Sequence, residues 1–299
     1  MIQQMNHVTL TYGNTQAVID LQGGQIISFH GENGREVIWQ ADPAVWDQHA
    51  PLLFPVCGSA KNGEVIIDGT TYKMPKHGFT RSNPLMRIAA QGTDYVDLIL
   101  EDNEDTQKCY PFHFAFHVRY SVYKNGFRTE FAVENHDGRQ MPMCVGGHPA
   151  FICPMEDGAK FEDYDLVFPE NEEGRVCVVA ASGMLDGTEV LPFFHGNTMP
   201  LDHHEIDCRD SLLFTSLKSR SVHLVNRNTG KGLTVAFPKM EALAVWSPTA
   251  KFADFICLEP WHGTPAEVSE SGAFEDKKFV TILQPGATYV TWFDVTLDA

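Results

Sequence analysis

The chain has 299 residues, 43% of them hydrophobic and 20% charged, and its 39 acidic and 22 basic side chains leave a net charge of −17. That composition excludes a disordered or fibrous protein, and an acidic field of this size disfavours nucleic acid and anionic membrane surfaces as partners. No run approaches the roughly eighteen consecutive apolar residues of a membrane-spanning helix, and neutral small molecules remain the natural class of ligand.

Short alternating runs dominate from the start. HVTLTYG, TQAVIDLQGG, QIISFHG and EVIWQA follow one another with Gly, Asn or Asp between them, the signature of antiparallel strands joined by turns. The N-terminal residues MIQQMNHVTLTYGNTQ lack the apolar core of a signal peptide. Short helical pieces are expected only near PAVWDQHA and HEIDCRD.

In the run 112–120, Phe112, Phe114, Phe116, Val118 and Tyr120 share one face, with His113, His117 and Arg119 on the other. The turn Lys124-Asn125-Gly126 and the run FRTEFAVEN complete a hairpin. A zinc pair from His113 and His117 lacks an evident third ligand, and His203-His204 in MPLDHHEID reads as solvated surface. The same texture continues through SVHLVNRNTGKGLTVAFP, ALAVWSP, FICLEPW, KKFVTILQPG and TYVTWFDVTL, with an exposed acidic loop at 267–276. Seven cysteines are scattered without a CxxC pair, so a reduced, cytoplasmic protein is expected. No linker or fixed repeat divides the chain, and one large all-β antiparallel sandwich domain over residues 1–299 is the expected architecture.

Three polar knots interrupt this pattern. Gly146-Gly147-His148-Pro149-Ala150-Phe151 places an imidazole between residues of special backbone geometry. Pro75-Lys76-His77-Gly78-Phe79-Thr80-Arg81 sets a second histidine beside a glycine, with an arginine four positions on. Cys257-Leu258-Glu259-Pro260-Trp261-His262-Gly263 ends the apolar run FICL with a glutamate. A buried glutamate needs partners or a shifted pKa. Plainer accounts exist for each: a tight turn with a half-buried histidine, or a structural ion pair. Trp246 and Trp261 read as core or as cleft wall.

In their order, FPVCG, KHGFTRS, YPFHF, GGHPAF, CLEPWHG and LQPGATY resemble the aldose 1-epimerase, or galactose-mutarotase-like, family, in particular its LacX-like branch. The resemblance runs from about residue 20 to the C-terminus. It implies a β-supersandwich with a sugar cleft and interconversion of the α and β anomers of an aldose, without metal or organic cofactor. It carries the catalytic roles to His148 and Glu259, and substrate contacts to His77, Arg81 and, through a looser match, Asp210. Related sequences often carry an arginine after the glycine of FPxxG, where this chain has Ser59, with Lys61 two residues on; that bears on specificity.

Opening a pyranose needs a base for the C1 hydroxyl proton and an acid for the ring oxygen. A carboxylate and an imidazole suit these tasks, with Glu259 as base and His148 as acid in the opening direction. Three rivals follow: a mutarotase for a phosphorylated hexose held by Lys61 and Arg81, a non-catalytic sugar-binding or regulatory sandwich, and a glycoside hydrolase. The last needs two carboxylates around the scissile bond, where the knots supply one. A sugar is the expected partner, and both monomer and homodimer are open.

Overall fold

The computed structural model describes residues 6–81 and 83–298. Two large antiparallel sheets dominate it. The nine-stranded sheet runs, edge to edge, through Thr198–Pro200, Tyr164–Val167, Ser221–Asn226, Gly232–Ala236, Thr288–Leu297, Gly126–Asn135, Phe114–Tyr123, Tyr95–Glu101 and Arg87–Gln91. The other runs through Leu185–Val190, Arg175–Val179, Ser211–Phe214, Ala242–Trp246 and Phe255–His262; Val145–Gly147 and Ala150–Ile152 then pair with Phe255–His262, and Leu52–Leu53 closes the edge.

The alternating patterns dictate these strands. Along Phe114–Tyr123, Phe114, Phe116, Val118, Tyr120 and Val122 are buried, while His117 and Arg119 face outward. The hairpin to Gly126–Asn135 turns through Asn125, whose φ of 55° is a conformation asparagine tolerates. Inward-facing side chains of both sheets merge into one core. Phe54 stacks on Phe116 with centroids 4.6 Å apart, and Phe131 meets Phe293 at 6.1 Å. Burying each such ring contributes about 1.5–3 kcal/mol.

Several local expectations change. PAVWDQHA forms a single turn rather than a regular helix: the Asp42 side chain accepts from the Ala44 N–H and its carbonyl from both Val45 and Trp46, as at a helix start, but the turn is not continued. A helical turn appears instead at Glu104–Gln107, capped by Asn103. HEIDCRD does contribute to a short helix, His203–Asp207, started by Asp202. His203 is not solvated surface: it is buried, stacks on Phe161, and bonds to Glu162 and to the Ala253 carbonyl. Only Thr281–Leu283 of KKFVTILQPG is strand, and it pairs with Met141–Met143. All seven cysteines are free thiols. Among the described residues no helix is long and apolar enough to cross a membrane.

Candidate active site

The Phe255–His262 strand is buried along its whole length. Its alternate side chains Cys257, Glu259 and Trp261 leave one face of the sheet. Pairing aligns Ala244 with Glu259 and Trp246 with Cys257, and beyond them Leu213 with Ala244 and Ser211 with Trp246. Three adjacent strands thus build one floor, and Ser211, Leu213, Ala244, Trp246, Glu259 and Trp261 all line a single cleft of about 200 Å³.

The opposite edge of the same strand explains GGHPAF. Val145 and Gly146 pair with His262 and Trp261, and Ala150 and Phe151 pair with Cys257 and Ile256. Both pieces keep one register, which carries His148 directly opposite Glu259, where cross-strand Cβ atoms lie about 4.5–5.5 Å apart. The two glycines are required by close approach on both faces. A Cβ on Gly146 would lie 2.6 Å from the Trp261 ring, and one on Gly147 would lie 2.6 Å from Phe293. His148 itself is anchored by its N–H to the Pro51 carbonyl.

The imidazole Nε2 of His148 lies 3.3 Å from Oε2 of Glu259, whose side chain is 2% exposed. Glu259 Oε2, His148 Nδ1 and Trp261 Nε1 are buried without a hydrogen-bond partner, and all three residues line the cleft. Leaving such groups unpaired costs about 1–3 kcal/mol each, so stability alone does not account for them. Burial pushes the Glu259 carboxyl well above the ordinary carboxylate range, against the opposing pull of Lys76 and Arg81. Burial, and secondarily Arg81, lowers the His148 imidazole to about 3. Desolvation is the largest influence on both groups and favours the uncharged form of each, the protonated carboxyl and the neutral imidazole.

His77 is held by the loop 75–81, sewn to 54–58. Its N–H donates to the Gly58 carbonyl, and the Gly58 N–H donates to His77 Nδ1 at 3.1 Å. An accepting Nδ1 leaves the ring proton on Nε2. Burial, reinforced by His148, Lys76 and Arg81, holds this imidazole well below its usual pKa, so it stays neutral. Its backbone sits at φ 66°, a left-handed conformation that costs of order 1–3 kcal/mol for a side-chain-bearing residue. His77 and His148 lie edge to face at 5.7 Å.

Arg81 and the exposed Asp210 (φ 62°) line the same cleft. The structure therefore brings all five candidates, His148, Glu259, His77, Arg81 and Asp210, around one opening. Ser59 also lines it. Lys61 does not: its ammonium is bound to the Val268 and Glu270 carbonyls, which corrects its assignment as a phosphate ligand. Trp246 and Trp261 are cleft wall. Several lining residues lie outside the set expected from the sequence, Trp46 and Lys76 among them. Trp46, hidden in a segment read as helix, stacks on His148 at 5.1 Å. Lys76 directly precedes His77, and nothing in the local sequence separates it from an ordinary surface lysine.

The sequence model of the family described as aldose 1-epimerase matches residues 6–281. The plasmid protein LacX of Lactococcus lactis subsp. lactis is 36% identical over 286 residues, covering 92% of this chain and 94% of the relative. The galactose mutarotase related enzyme from Lactobacillus acidophilus superposes with a TM-score of 0.91 at 28% identity, covering 98% of this chain and 97% of the other. A galactose mutarotase-like protein from Lactobacillus casei gives 0.91 at 27%, covering 98% and 100%. A family match over nearly the whole chain, a relative of this identity and the shared fold agree, and the chain belongs to the aldose 1-epimerase family.

Proposed function

We propose that this protein is a mutarotase that interconverts the α and β anomers of a hexose, with Glu259 and His148 as its acid–base pair. One observation carries the reading: the two groups face each other at 3.3 Å on the cleft floor with unpaired polar atoms. In the opening step Glu259, as carboxylate, takes the proton of the C1 hydroxyl, while His148, as imidazolium, protonates the ring oxygen. The C1–O5 bond breaks and an aldehyde forms. The aldehyde rotates about C1–C2, and the two transfers reverse on the other carbonyl face.

The pair holds one proton throughout. With the closed ring it is an ion pair; with the open chain it is neutral. Burial favours the neutral form of both groups, so this environment stabilises the pair's state in the open-chain intermediate, the species a free sugar populates least. His77 donates its Nε2–H to the ring oxygen or a neighbouring hydroxyl, and Arg81 and Asp210 hold hydroxyls. The indole faces of Trp46, Trp246 and Trp261 suit the C–H face of a pyranose. Polarimetry on freshly dissolved α-D-glucose and α-D-galactose tests this: accelerated decay to the equilibrium rotation is expected. No acceleration with either sugar, alongside measurable binding, would leave the binding-module reading instead.

A second reading is favoured by Lys76 and Arg81. Both cations line the cleft, and among the described residues neither makes an ion pair, although most other arginines of this acidic chain do. A phosphorylated hexose would supply the missing anion. A KM for glucose 6-phosphate at least tenfold below that for glucose, lost in Lys76→Ala, is the outcome this reading requires; equal KM values would eliminate it.

A further inference from the structure

The cleft floor carries a sulfur that the acid–base chemistry does not use. Cys257 lies two residues before Glu259 on the Phe255–His262 strand, so both side chains leave the same face. His148 meets them from the neighbouring edge. A ring nitrogen of His148, Sγ of Cys257 and a carboxylate oxygen of Glu259 lie within 4.8 Å of one another, and the nitrogen and oxygen are already at 3.3 Å. Tetrahedral zinc, with bonds of about 2.0–2.3 Å, holds its donors about 3.3–3.8 Å apart. Small side-chain rotations close the remaining gap.

Glu259 supplies an independent pointer. Its side chain is 2% exposed, and Oε2, on the side of this cluster, has no hydrogen-bond partner. A cation is one of the few species that satisfies a buried carboxylate. We propose that His148, Cys257 and Glu259 form a three-donor site for Zn²⁺, with the fourth coordination position facing the cleft. Imidazole, thiolate and carboxylate are the protein ligands zinc takes. On binding, the thiol and the protonated carboxyl each give a proton to solvent, and thiolate plus carboxylate then cancel the charge of the dication. The field of Lys76 and Arg81 therefore acts on an assembly without net charge. The ion enters from the cleft past His148 and Glu259, because Cys257 itself lies behind, packed with Ala150, Phe255, Trp46 and Trp246. One consequence rests on the mutarotase reading: zinc occupies the lone pairs of both acid and base, so zinc and sugar turnover exclude each other.

Cys208 lies 3.9 Å from His204 on an exposed helix and is a competing sulfur–imidazole pair, so the experiment uses the full chain carrying Cys208→Ser. Calorimetric titration with Zn²⁺ is expected to give one equivalent bound, and Co²⁺ to give a thiolate-to-cobalt charge-transfer band in the near ultraviolet. Cys257→Ala should abolish the band and weaken Zn²⁺ at least tenfold. Glu259→Gln should weaken Zn²⁺ similarly while keeping the band. Absence of the band in the Cys208→Ser protein, or Zn²⁺ affinity unchanged by both further substitutions, overturns the site. Polarimetry on the metal-free protein is a separate readout: zinc bound without mutarotation refutes the enzymatic reading alone, and mutarotation without zinc uptake refutes this one alone.

Discussion

Burying the carboxyl group of Glu259 costs the fold stability at neutral pH. Glu259 has a folded-state pKa well above its ordinary value because it is buried. A group raised in this way contributes stability below its unfolded pKa of about 4.3 and loses it as pH rises toward the folded value. At neutral pH the side chain therefore destabilises the fold. Glu259→Gln removes the titration and keeps the shape. The variant should lose at least about 100-fold in mutarotation rate, yet melt about 2 °C or more above the parent at pH 8. The difference in melting temperature should narrow as pH falls toward about 5. A variant that melts lower at every pH would show that the carboxyl is satisfied in the folded protein. His148 has the opposite sign: its folded value of about 3 lies below the ordinary 6.5, so its contribution is present above about pH 6.5 and is lost as pH falls. His148→Asn should lower the rate as far as Glu259→Gln, without the rise in melting temperature at pH 8. The two residues were legible because glycine, proline and apolar neighbours set them apart. Trp46 was not, since its place in the cleft and its stacking on the His148 ring arise from a long-range contact that no local pattern marks.

Strand character follows from alternation, as in Phe114–Tyr123, but partners at long range do not. The meeting of His148 with Glu259 depends on register between segments far apart in the chain, and no local pattern encodes that. For the same reason Thr281–Leu283 finds Met141–Met143 rather than its neighbour in sequence. Turn chemistry is legible only where it is strict. At Gly78, φ is 78° and a Cβ would lie 1.9 Å from the Phe54 carbonyl oxygen, in the bridge that holds the His77 loop against the edge of the sheet. Gly78→Ala should thus cost well over 2 kcal/mol and displace His77 from the cleft, lowering kcat as well as the melting temperature. Gly34→Ala is the control: φ is 72°, but nothing lies within 4 Å of the added carbon, so about 1 kcal/mol and no change in kcat are expected. Equal losses in the two variants would mean that backbone strain, not the carbonyl contact, governs Gly78.

Across the whole molecule the charge distribution is uneven. Seventeen negative charges are uncompensated, while the cleft presents Lys76 and Arg81 without carboxylate partners among the described residues. Exposed ion pairs such as Lys73–Glu64 and Lys108–Asp105 are numerous, but each contributes only about 0–1 kcal/mol. Self-repulsion of the like charges acts over the full surface and weakens the compact state. Raising ionic strength from about 0.01 M to about 0.15 M shortens the screening length from about 30 Å to about 8 Å. If repulsion outweighs the surface pairs, the melting temperature at pH 8 rises over this range. A fall would mean that the local attractions dominate. The Glu259–His148 contact is buried and escapes most of this screening, so kcat for an uncharged hexose should change less than twofold under the same salt increase. Salt dependence in kcat itself would place the pair in contact with bulk water, against the burial that sets both of its pKa shifts.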